Sequence, residues 1–506
     1  MVLTHRLSTN SNENQSSQQQ KPYYWWIVLP VIVVSMTTAT TEPVILNDLM
    51  IQRYQVVYGL VNASSPSSET ACNSEDLANN TAILELADDV QKSVSHLNII
   101  MAGVGAIPAV LSYVILGANC DRIGRKPLLI LPCIGRIIRY TIFVLLVQLD
   151  LSDIWFIIAN IIDGLFGSNS VLLLGGIAYI TDCTTNKQRS SAMVLEEAAV
   201  ALTRIFPLLG VGFWLQQHGH TLPMAVNLGI NVGALIYIMV FQPESRGENN
   251  WHILHFLKQL SKVRLTPIPG TYRVFLKKRI GNDQRSIILF TLAQIMLFIV
   301  LFGFVSIDSL YVYGKPLCFN ALDLAIATSA QFSLMIFVSI ILSFWQTRFT
   351  NSLYLPCIAI LMYAIHLVIF GIAQTAWVVY LAFFIGCLLF VVMAVIRAHL
   401  TKLVNDTEFA LVFIATGIAE TLGSYVVGIV ANEIYAETIA VYPGIIFFIL
   451  AFLTLIPFIL IGLLLLWSLC KRKNTTTIEI NQEDAGRTPA HDTIAKRDSS
   501  IMETAF

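Results

Sequence analysis

The chain has 506 residues, of which 56% are hydrophobic and 12% charged, and its formal net charge is −1 at pH 7. Because soluble globular proteins carry about 25% charged residues, this composition excludes a soluble domain and indicates a protein embedded in a lipid bilayer. The charge balance does not suggest nucleic-acid binding. The sequence contains no nucleotide-binding loop, zinc-type His/Cys spacing or nucleophile elbow, so it predicts no enzyme, cofactor or metal site.

Apolar segments long enough to cross about 30 Å of hydrocarbon recur along the chain. We predict twelve membrane-spanning helices, over residues 24–46, 97–117, 127–149, 154–180, 192–216, 222–242, 287–312, 322–345, 354–373, 375–396, 408–432 and 441–470. A charged cytosolic linker, 243–286, separates the first six spans from the last six. The predicted fold is therefore an all-α membrane protein with two six-helix halves, 24–242 and 287–470.

The distribution of Lys and Arg predicts the orientation of these spans. With the N-terminus in the cytosol, 25 of the 31 basic residues lie in cytoplasmic segments. Three lie in outer loops and three within spans, namely Arg53, Lys92, Lys315, Arg136, Arg139 and Arg204. Both termini are therefore expected in the cytosol, and the polar tails 1–23 and 471–506 are expected to be disordered. The C-terminal residues, Glu503 to Phe506, also fit a ligand of a PDZ domain, although short matches of this kind are common by chance.

The loop at 47–96 is expected to face the outside of the cell or a lumen. It contains two glycosylation sequons, at Asn62 and Asn79. Of the eight cysteines, only Cys72 and Cys318 fall in non-cytosolic loops. Two thiols in an oxidising compartment predict a disulfide between the first outer loops of the two halves, and the alternative is two free thiols. The membrane is expected to be the plasma membrane or the lysosomal membrane.

A short charged loop joins the second and third spans. It reads Gly117-Ala-Asn-Cys-Asp121-Arg122-Ile-Gly124-Arg125-Lys126. Its glycines permit a tight turn, and Asp121 and Arg125 are placed to pair with each other or with a helix end. The pattern resembles the loop signature of the major facilitator superfamily of transporters, and Pro243-Glu244-Ser245-Arg246 resembles a second signature. The resemblance implies a conformational switch formed by Gly117, Asp121, Arg122, Gly124 and Arg125.

Several charged residues fall inside the predicted spans, where a charge usually faces the bundle interior or a water-filled cavity. Arginine binds carboxylate or sulfate bidentately, and we predict that the arginines that bind an organic anion are Arg136, Arg139, Arg204 and Arg397. We predict that the acids that take up protons are Asp163, Glu196, Glu197 and Glu420. The alternative for Asp163 is that it neutralises Arg136 or Arg139 and holds two helices together. A lone His366 is more often a packing contact than a titrating group.

Longer segments resemble a narrower family. Residues 311–318, 395–404, 420–423 and 441–444 resemble the proton-coupled folate transporter family, solute carrier family 46. The resemblance implies a disulfide between Cys72 and Cys318, a role for Arg397 in binding protons and substrate, and a proton-coupling carboxylate at Glu197 or Glu196. At two positions this chain departs from the folate carrier, whose histidine in the seventh span and aspartate in the fourth span correspond to Leu301 and Ser168. These departures argue against folate as the substrate.

The sequence therefore predicts a monomeric secondary active transporter that moves an organic anion with protons by alternating access. The anion is expected to be folate-like, a steroid conjugate or muropeptide-like, and the arginine-rich spans favour the last two classes. The alternatives are an uncoupled facilitative carrier and a non-transporting membrane receptor or scaffold.

Overall fold

The structure is a computed structural model that describes residues 24–60, 81–184, 192, 195–196, 199–245, 283–344, 353–403 and 406–486. Every regular element in these ranges is helical. The main helices are α1 Leu29–Val57, α2 Thr81–Ala118, α3 Lys126–Gln148, α4 Ile154–Leu165, α5 Ser168–Cys183, α6 Phe206–His218, α7 Thr221–Val240, α8 Asp283–Tyr313, α9 Ala321–Phe344, α10 Tyr354–Gly371, α11 Ala376–Ile385, α12 Leu389–Leu403, α13 Asp406–Thr438, α14 Ile445–Leu453 and α15 Leu455–Gly486. In the described part, ten helical segments are long and apolar enough to cross a membrane, and a shorter apolar helix covers Ala376–Leu388.

Several helices extend beyond the predicted spans, and three of them run well into segments predicted as a loop or a tail. α1 continues to Val57 and α2 begins at Thr81, so both run into the segment predicted as the loop 47–96. α15 continues to Gly486, through the start of the segment predicted as the tail 471–506. Apolar content indicates which residues lie in hydrocarbon, whereas a helix can continue into water while its backbone hydrogen bonds are kept. The predicted spans therefore locate the bilayer better than they locate the helix ends.

Four of the predicted spans are interrupted. The fourth breaks at Gly167, whose φ of 95° requires glycine because a side chain rarely adopts this conformation. The fifth contains a turn at 204–205, the tenth a 3-10 turn at Gly386–Leu388, and the twelfth a turn at Thr454. A break in a membrane helix is tolerated where the freed backbone is buried in protein or lines a cavity. The turn in the fifth span places Arg204 at such a break.

The two halves meet along the outer end of the bundle, which is the end that the Lys and Arg distribution places away from the cytosol. Asn47 of α1 donates from Nδ2 to Ser309 Oγ of α8 at 2.8 Å. Tyr435 of α13 donates its hydroxyl to Gln91 Oε1 of α2 at 2.5 Å. α6 packs on α9 at Gly212, where a Cβ atom would collide with the facing helix. Polar contacts and close packing therefore join the halves at this end.

The interior of the second half contains a set of packed rings. We call Phe304, Phe370, Phe383, Phe447 and His366 the aromatic cluster, and its phenylalanine ring centroids lie between 4.9 and 6.2 Å apart. Most of these rings meet edge to face, the arrangement that aromatic quadrupoles favour. The aromatic cluster ties α8, α10, α11 and α14 into one packed unit.

Candidate functional site

Three of the charges predicted inside the first half, Arg136, Arg139 and Asp163, form a group around Arg139 of α3. Its Nη1 atom donates to Asp163 Oδ2 of α4 at 3.0 Å, and its Nη2 atom donates to Glu42 Oε1 of α1. The guanidinium also lies over the ring of Phe143, with Cζ 5.3 Å from the centroid. We call Glu42, Arg136, Arg139 and Asp163 the charge cluster. Of the two pairings left open for Asp163, the structure shows the one with Arg139.

Arg136 belongs to the same group but has different partners. It lies one turn before Arg139 and donates from Nη1 to the carbonyl oxygen of Ser35 at 2.9 Å and to the hydroxyl of Thr38. Within the described ranges, no carboxylate lies at ion-pairing distance from Arg136. The charge cluster as a whole therefore contains two guanidinium groups and two carboxylates.

The helix periodicity explains this geometry. Arg136 and Arg139 are three residues apart, and Ser35, Thr38 and Glu42 on α1 are spaced by three and four, so each set shares one helix face. Tyr140, next to Arg139, donates its hydroxyl to Glu42 Oε2 at 2.6 Å. Glu42 and Tyr140 were not predicted as site residues. The spacing of polar residues along the first span is the signal that could have identified Glu42.

The charge cluster also lies close to the second half of the bundle. Tyr425 of α13 lies near Ser168 at the start of α5 and interacts electrostatically with Arg139, Asp163 and Glu42. Tyr425 therefore connects the charge cluster to the second half.

The other predicted arginines lie elsewhere. Arg204, at the break in the fifth span, has Cζ 4.9 Å from the ring centroid of Phe332 in α9, and its charge also acts on Asp308 of α8. It thus bridges from the first half to the second. Arg397 lies in α12, but its side chain is outside the part of the chain that the structure describes.

The structure describes two of the three remaining predicted acids. Glu196 is buried in the fifth span, and Glu197 lies outside the described residues. Glu420 of α13 accepts a hydrogen bond on Oε1 from Gln294 Nε2 of α8 at 3.2 Å, which places it within the second half. The structure therefore brings Asp163 together with Arg136 and Arg139 but places Glu420 in a separate contact.

His366 of α10 is a packing residue in this structure. Its ring is fully buried in the aromatic cluster, with Nδ1 2.7 Å from the carbonyl oxygen of Ala382. The Phe304 and Phe370 ring centroids lie 5.0 and 5.8 Å from that of His366. Because no charged side chain of the described chain pairs with it, His366 fits the packing alternative better than the titrating one.

The charged loop at the cytosolic end forms its own network. Arg125 donates to Asp121 Oδ1 and to Asp182 Oδ2 at the end of α5, both at 2.8 Å. The Glu244 carboxylate, which follows α7, accepts the backbone N–H groups of Arg125 at 2.8 Å and Lys126 at 3.1 Å. It therefore caps the N-terminus of α3, where a negative charge is favourable. The predicted pairing of Asp121 with Arg125 is present, whereas the sequence assigned no partner role to Asp182 or Glu244.

The glycine in this loop is required by the same network. Gly124 has a φ of 89°, and a Cβ atom there would lie 2.6 Å from Glu244 Oε2. Burial would lower the pKa of the Arg125 guanidinium, but interactions with Cys120, Asp182 and Asp121 raise it above its usual value. Arg125 therefore keeps its positive charge at every physiological pH. Gly117 lies in the last turn of α2, and Arg122 is exposed.

The predicted outer-loop modifications fall mostly outside the described residues. Cys318 is disulfide-bonded, and the other described cysteines form no disulfide. The predicted partner Cys72 and the predicted glycosylation sites Asn62 and Asn79 lie outside the described residues. The pairing of Cys318 with Cys72 therefore stays a prediction.

Known relatives agree with this architecture. Residues 71–428 match the Major Facilitator Superfamily. The chain is 28% identical to the lysosomal proton-coupled steroid conjugate and bile acid symporter SLC46A3 of Gallus gallus, over 86% of this chain and 91% of that relative. It is 26% identical to the proton-coupled folate transporter of Rattus norvegicus, over 75% of this chain and 81% of that relative. The names of both relatives agree with the predicted resemblance to the proton-coupled folate transporter family, solute carrier family 46.

Solved structures show the same fold at low sequence identity. The human organic anion transporter MFSD10 matches with a TM-score of 0.57 at 14% identity, over 86% of this chain and 98% of its own. An auto-inhibited POT family peptide transporter matches with a TM-score of 0.58 at 11% identity, over 86% and 96%. The match to the superfamily covers more than half of the chain, and the helices are those of a multi-pass membrane protein. The chain therefore belongs to the major facilitator superfamily, whose members are membrane transporters and not enzymes.

Proposed function

We propose that this protein is a secondary active transporter that carries an organic anion together with protons by alternating access of its two halves. The observation that carries the proposal is the charge cluster, in which Arg139 contacts Glu42 and Asp163 next to the second half. Charged groups at bilayer depth are costly and usually mark a substrate or proton path. A guanidinium with exchangeable carboxylate partners suits the binding of an anion.

The anion is held by the intramembrane arginines, which are Arg136, Arg139, Arg204 and Arg397. Two of them lie beside an aromatic ring, Arg139 over Phe143 and Arg204 over Phe332. Such rings offer apolar surface to the ring system of a substrate while the guanidinium binds its charged group. An amphipathic anion, with a carboxylate or sulfate on a rigid apolar body, fits this combination.

The coupling protons are taken up by carboxylates within the spans; the sequence offers Asp163, Glu196, Glu197 and Glu420 as candidates, and the charge cluster adds Glu42. The loop residues Gly117, Asp121, Arg122, Gly124 and Arg125 act in the conformational switch, because their network ties α2, α3 and α5 at the cytosolic end. Since Arg125 stays charged, the pH dependence of transport is assigned to the acids and not to this loop.

The relatives' names support a substrate class and a location. One relative is named for steroid conjugates and bile acids and another for folate, and all three are organic anions. Leu301 and Ser168 differ from the folate carrier, so we favour a steroid conjugate, a bile acid or a muropeptide-like anion over folate. The proposed location is the lysosomal or plasma membrane, with both termini in the cytosol.

The test is uptake into proteoliposomes of estrone sulfate, taurocholate, folic acid and muramyl dipeptide, each radiolabelled. A gradient from about pH 5.5 outside to about pH 7.5 inside drives the reaction across the range where carboxylates and histidines in proteins titrate. We expect accumulation of at least one anion that a protonophore abolishes. Equal uptake with and without the gradient would indicate an uncoupled carrier. If the folded protein transports none of the four probes, a receptor or scaffold is favoured.

A further inference from the structure

The charge cluster is balanced when all its members are ionised. Arg136 and Arg139 supply two positive charges, and Glu42 and Asp163 supply two negative charges. An anion that binds to Arg139 adds a negative charge at bilayer depth, where an unbalanced charge is costly. A proton that binds to one of the two acids at the same time restores the balance. The charges therefore link one anionic group to one proton.

The hydrogen bonds of Arg139 also link the binding of an anion to the protonation of an acid. Each Nη atom of Arg139 already donates to a carboxylate, Nη1 to Asp163 at 3.0 Å and Nη2 to Glu42. An incoming carboxylate or sulfate must displace one of them. A protonated acid is a weaker partner for a guanidinium than an ionised one, because charge-assisted hydrogen bonds are the stronger kind. Protonation of one acid is therefore the step that frees Arg139.

The surroundings of the two acids indicate which one takes the proton. The Glu42 side chain is 14% exposed and that of Asp163 is 7% exposed, so Glu42 is the more exposed of the two. A proton on Glu42 Oε2 can be donated to the Tyr140 oxygen, because the Tyr140 hydroxyl has a second acceptor in the carbonyl oxygen of Thr38 at 3.4 Å. In contrast, Asp163 Oδ1 is buried without a hydrogen-bond partner among the residues that the structure describes. If Asp163 Oδ1 were protonated, its O–H group would have no hydrogen-bond acceptor among these residues.

We propose that Glu42 is the proton-binding carboxylate of the first half, and that its protonation transfers the Nη2 side of Arg139 from Glu42 to a carboxylate or sulfate of the substrate. The proton comes from water and ends on Glu42 Oε2, and no covalent bond to carbon changes. This inference rests on the proposed proton-coupled function and names its coupling group. Within the described ranges, the charged and titratable groups that surround Glu42 are Arg136, Arg139 and Tyr140 of α3, Asp163 of α4 and Tyr425 of α13.

The decisive variant is Glu42→Gln, which imitates the protonated acid permanently. Uptake is measured with estrone sulfate, and with the other anions of the panel, at about pH 5.5 and about pH 7.5. In the parent protein, one titrating group allows uptake to change by up to about tenfold per pH unit. In Glu42→Gln we expect the two pH values to differ by less than about twofold, with KM at neutral pH near the parent's acidic value, because the proton is no longer needed. Proton influx driven by estrone sulfate should be lost.

Asp163→Asn is the matched control, because it removes the other negative charge of the charge cluster. If Glu42 is the proton site, Asp163→Asn keeps the pH dependence of uptake. Glu42→Asp retains a carboxylate and should restore proton influx in part. Tyr140→Phe removes a donor to the ionised form of Glu42, so it should move the pH midpoint of uptake towards higher pH. A merely structural role for Glu42 predicts none of these pH effects.

The outcomes distinguish a failure of the proposed function from a failure of the role of Glu42 alone. Parent uptake that shows no dependence on the gradient contradicts the proposed function, and with it the role of Glu42. Gradient-driven parent uptake that keeps its pH ratio in Glu42→Gln contradicts the role of Glu42 alone. Loss of the pH ratio in Asp163→Asn, with its retention in Glu42→Gln, would reassign the proton to Asp163. Thermal stability in detergent identifies any variant that is simply misfolded.

Discussion

The interior of the first half is held by charged side chains, whereas the interior of the second half is packed with rings. Arg139 bonds to Glu42 and Asp163, and in the proposed mechanism an anion replaces one of these carboxylates once it is protonated. His366, also deep within a span, is enclosed by the other rings of the aromatic cluster and bonds to a backbone carbonyl. An ionisable residue inside the membrane is therefore not a functional group by itself. Its partners decide whether it can exchange one contact for another.

This difference suggests a division of roles between the halves. An ionic group with interchangeable partners responds to binding, whereas a closely packed core has few alternative arrangements. We expect the charge cluster to respond to proton and substrate and the aromatic cluster to let its helices move as a rigid unit. Four substitutions test this division, each with a matched control.

The largest effect is expected for Arg139→Ala. It leaves Glu42 and Asp163 as two carboxylates without their shared cation, and loss of one member of a buried ion pair costs about 3–5 kcal/mol. The thermal midpoint in detergent should fall, and estrone sulfate uptake should drop to background. Lys92→Ala is the control, because its pair with Asp89 at 3.7 Å lies at the surface and is worth about 1 kcal/mol or less. Parental uptake by Arg139→Ala would contradict the role of the charge cluster.

Glu244→Ala is expected to have the next largest effect. It removes the acceptor for two backbone N–H groups at the start of α3, and hydrogen bonds to charged groups contribute about 1.5–3 kcal/mol. We expect slower uptake with unchanged equilibrium binding of estrone sulfate, since this residue lies in the switch and not in the charge cluster. Ser245→Ala, which removes a hydroxyl that donates to Asp182 at 3.2 Å, should change the rate less. Weaker binding at an unchanged rate would contradict the assignment.

A smaller effect is expected for Gly386→Ala in the second half. Its Cβ atom would lie 2.7 Å from Cγ of His366, and overpacking of a close-packed core costs about 1–3 kcal/mol. The thermal midpoint should fall while the ratio of uptake at acidic and neutral pH stays that of the parent. Gly229→Ala is the control, because a Cβ atom there meets nothing within 4 Å. An altered pH ratio without a stability loss would show that the aromatic cluster takes part in coupling.

The smallest effect is expected for His366→Phe. The substitution removes one hydrogen bond to a backbone carbonyl, worth about 1 kcal/mol, and replaces the imidazole with another ring in the aromatic cluster. The pH profile of uptake should be unchanged, and the thermal midpoint should shift only slightly. His366→Gln, which keeps a donor but removes the ring, should lower the thermal midpoint more. A flattened pH profile in His366→Phe would assign a proton to the second half.

Much of the fold could be predicted from one-dimensional patterns. Hydropathy located the spans because a bilayer imposes a minimum apolar length on each helix. The helices α1 and α2 continue past the predicted spans, because the length constraint applies only within the hydrocarbon. The break at Gly167 and the turn at Arg204 were also missed, since local packing and not composition determines where a buried helix is interrupted.

The candidate site was predicted only in part. Arg136, Arg139 and Asp163 stand out because charges are rare within apolar runs. Glu42 was not singled out, because its role depends on which face of α1 lies against α3. The choice of Arg139 over Arg136 as the partner of Asp163 depends on the rotation and height of α4, and neither is encoded in spacing along one helix. Asp182 and Glu244 meet the charged loop from distant parts of the chain for the same reason.

By itself the sequence determined that this is a multi-pass membrane protein of the major facilitator superfamily and that it carries rare charges at bilayer depth. These properties follow from composition, from apolar length and from a short local motif. Only the tertiary structure decided which of those charges share partners, which histidine is enclosed by rings, and which unpredicted acid completes the charge cluster. Those properties depend on contacts between helices that are far apart in the chain, and the free energy of a buried charge is set by such contacts.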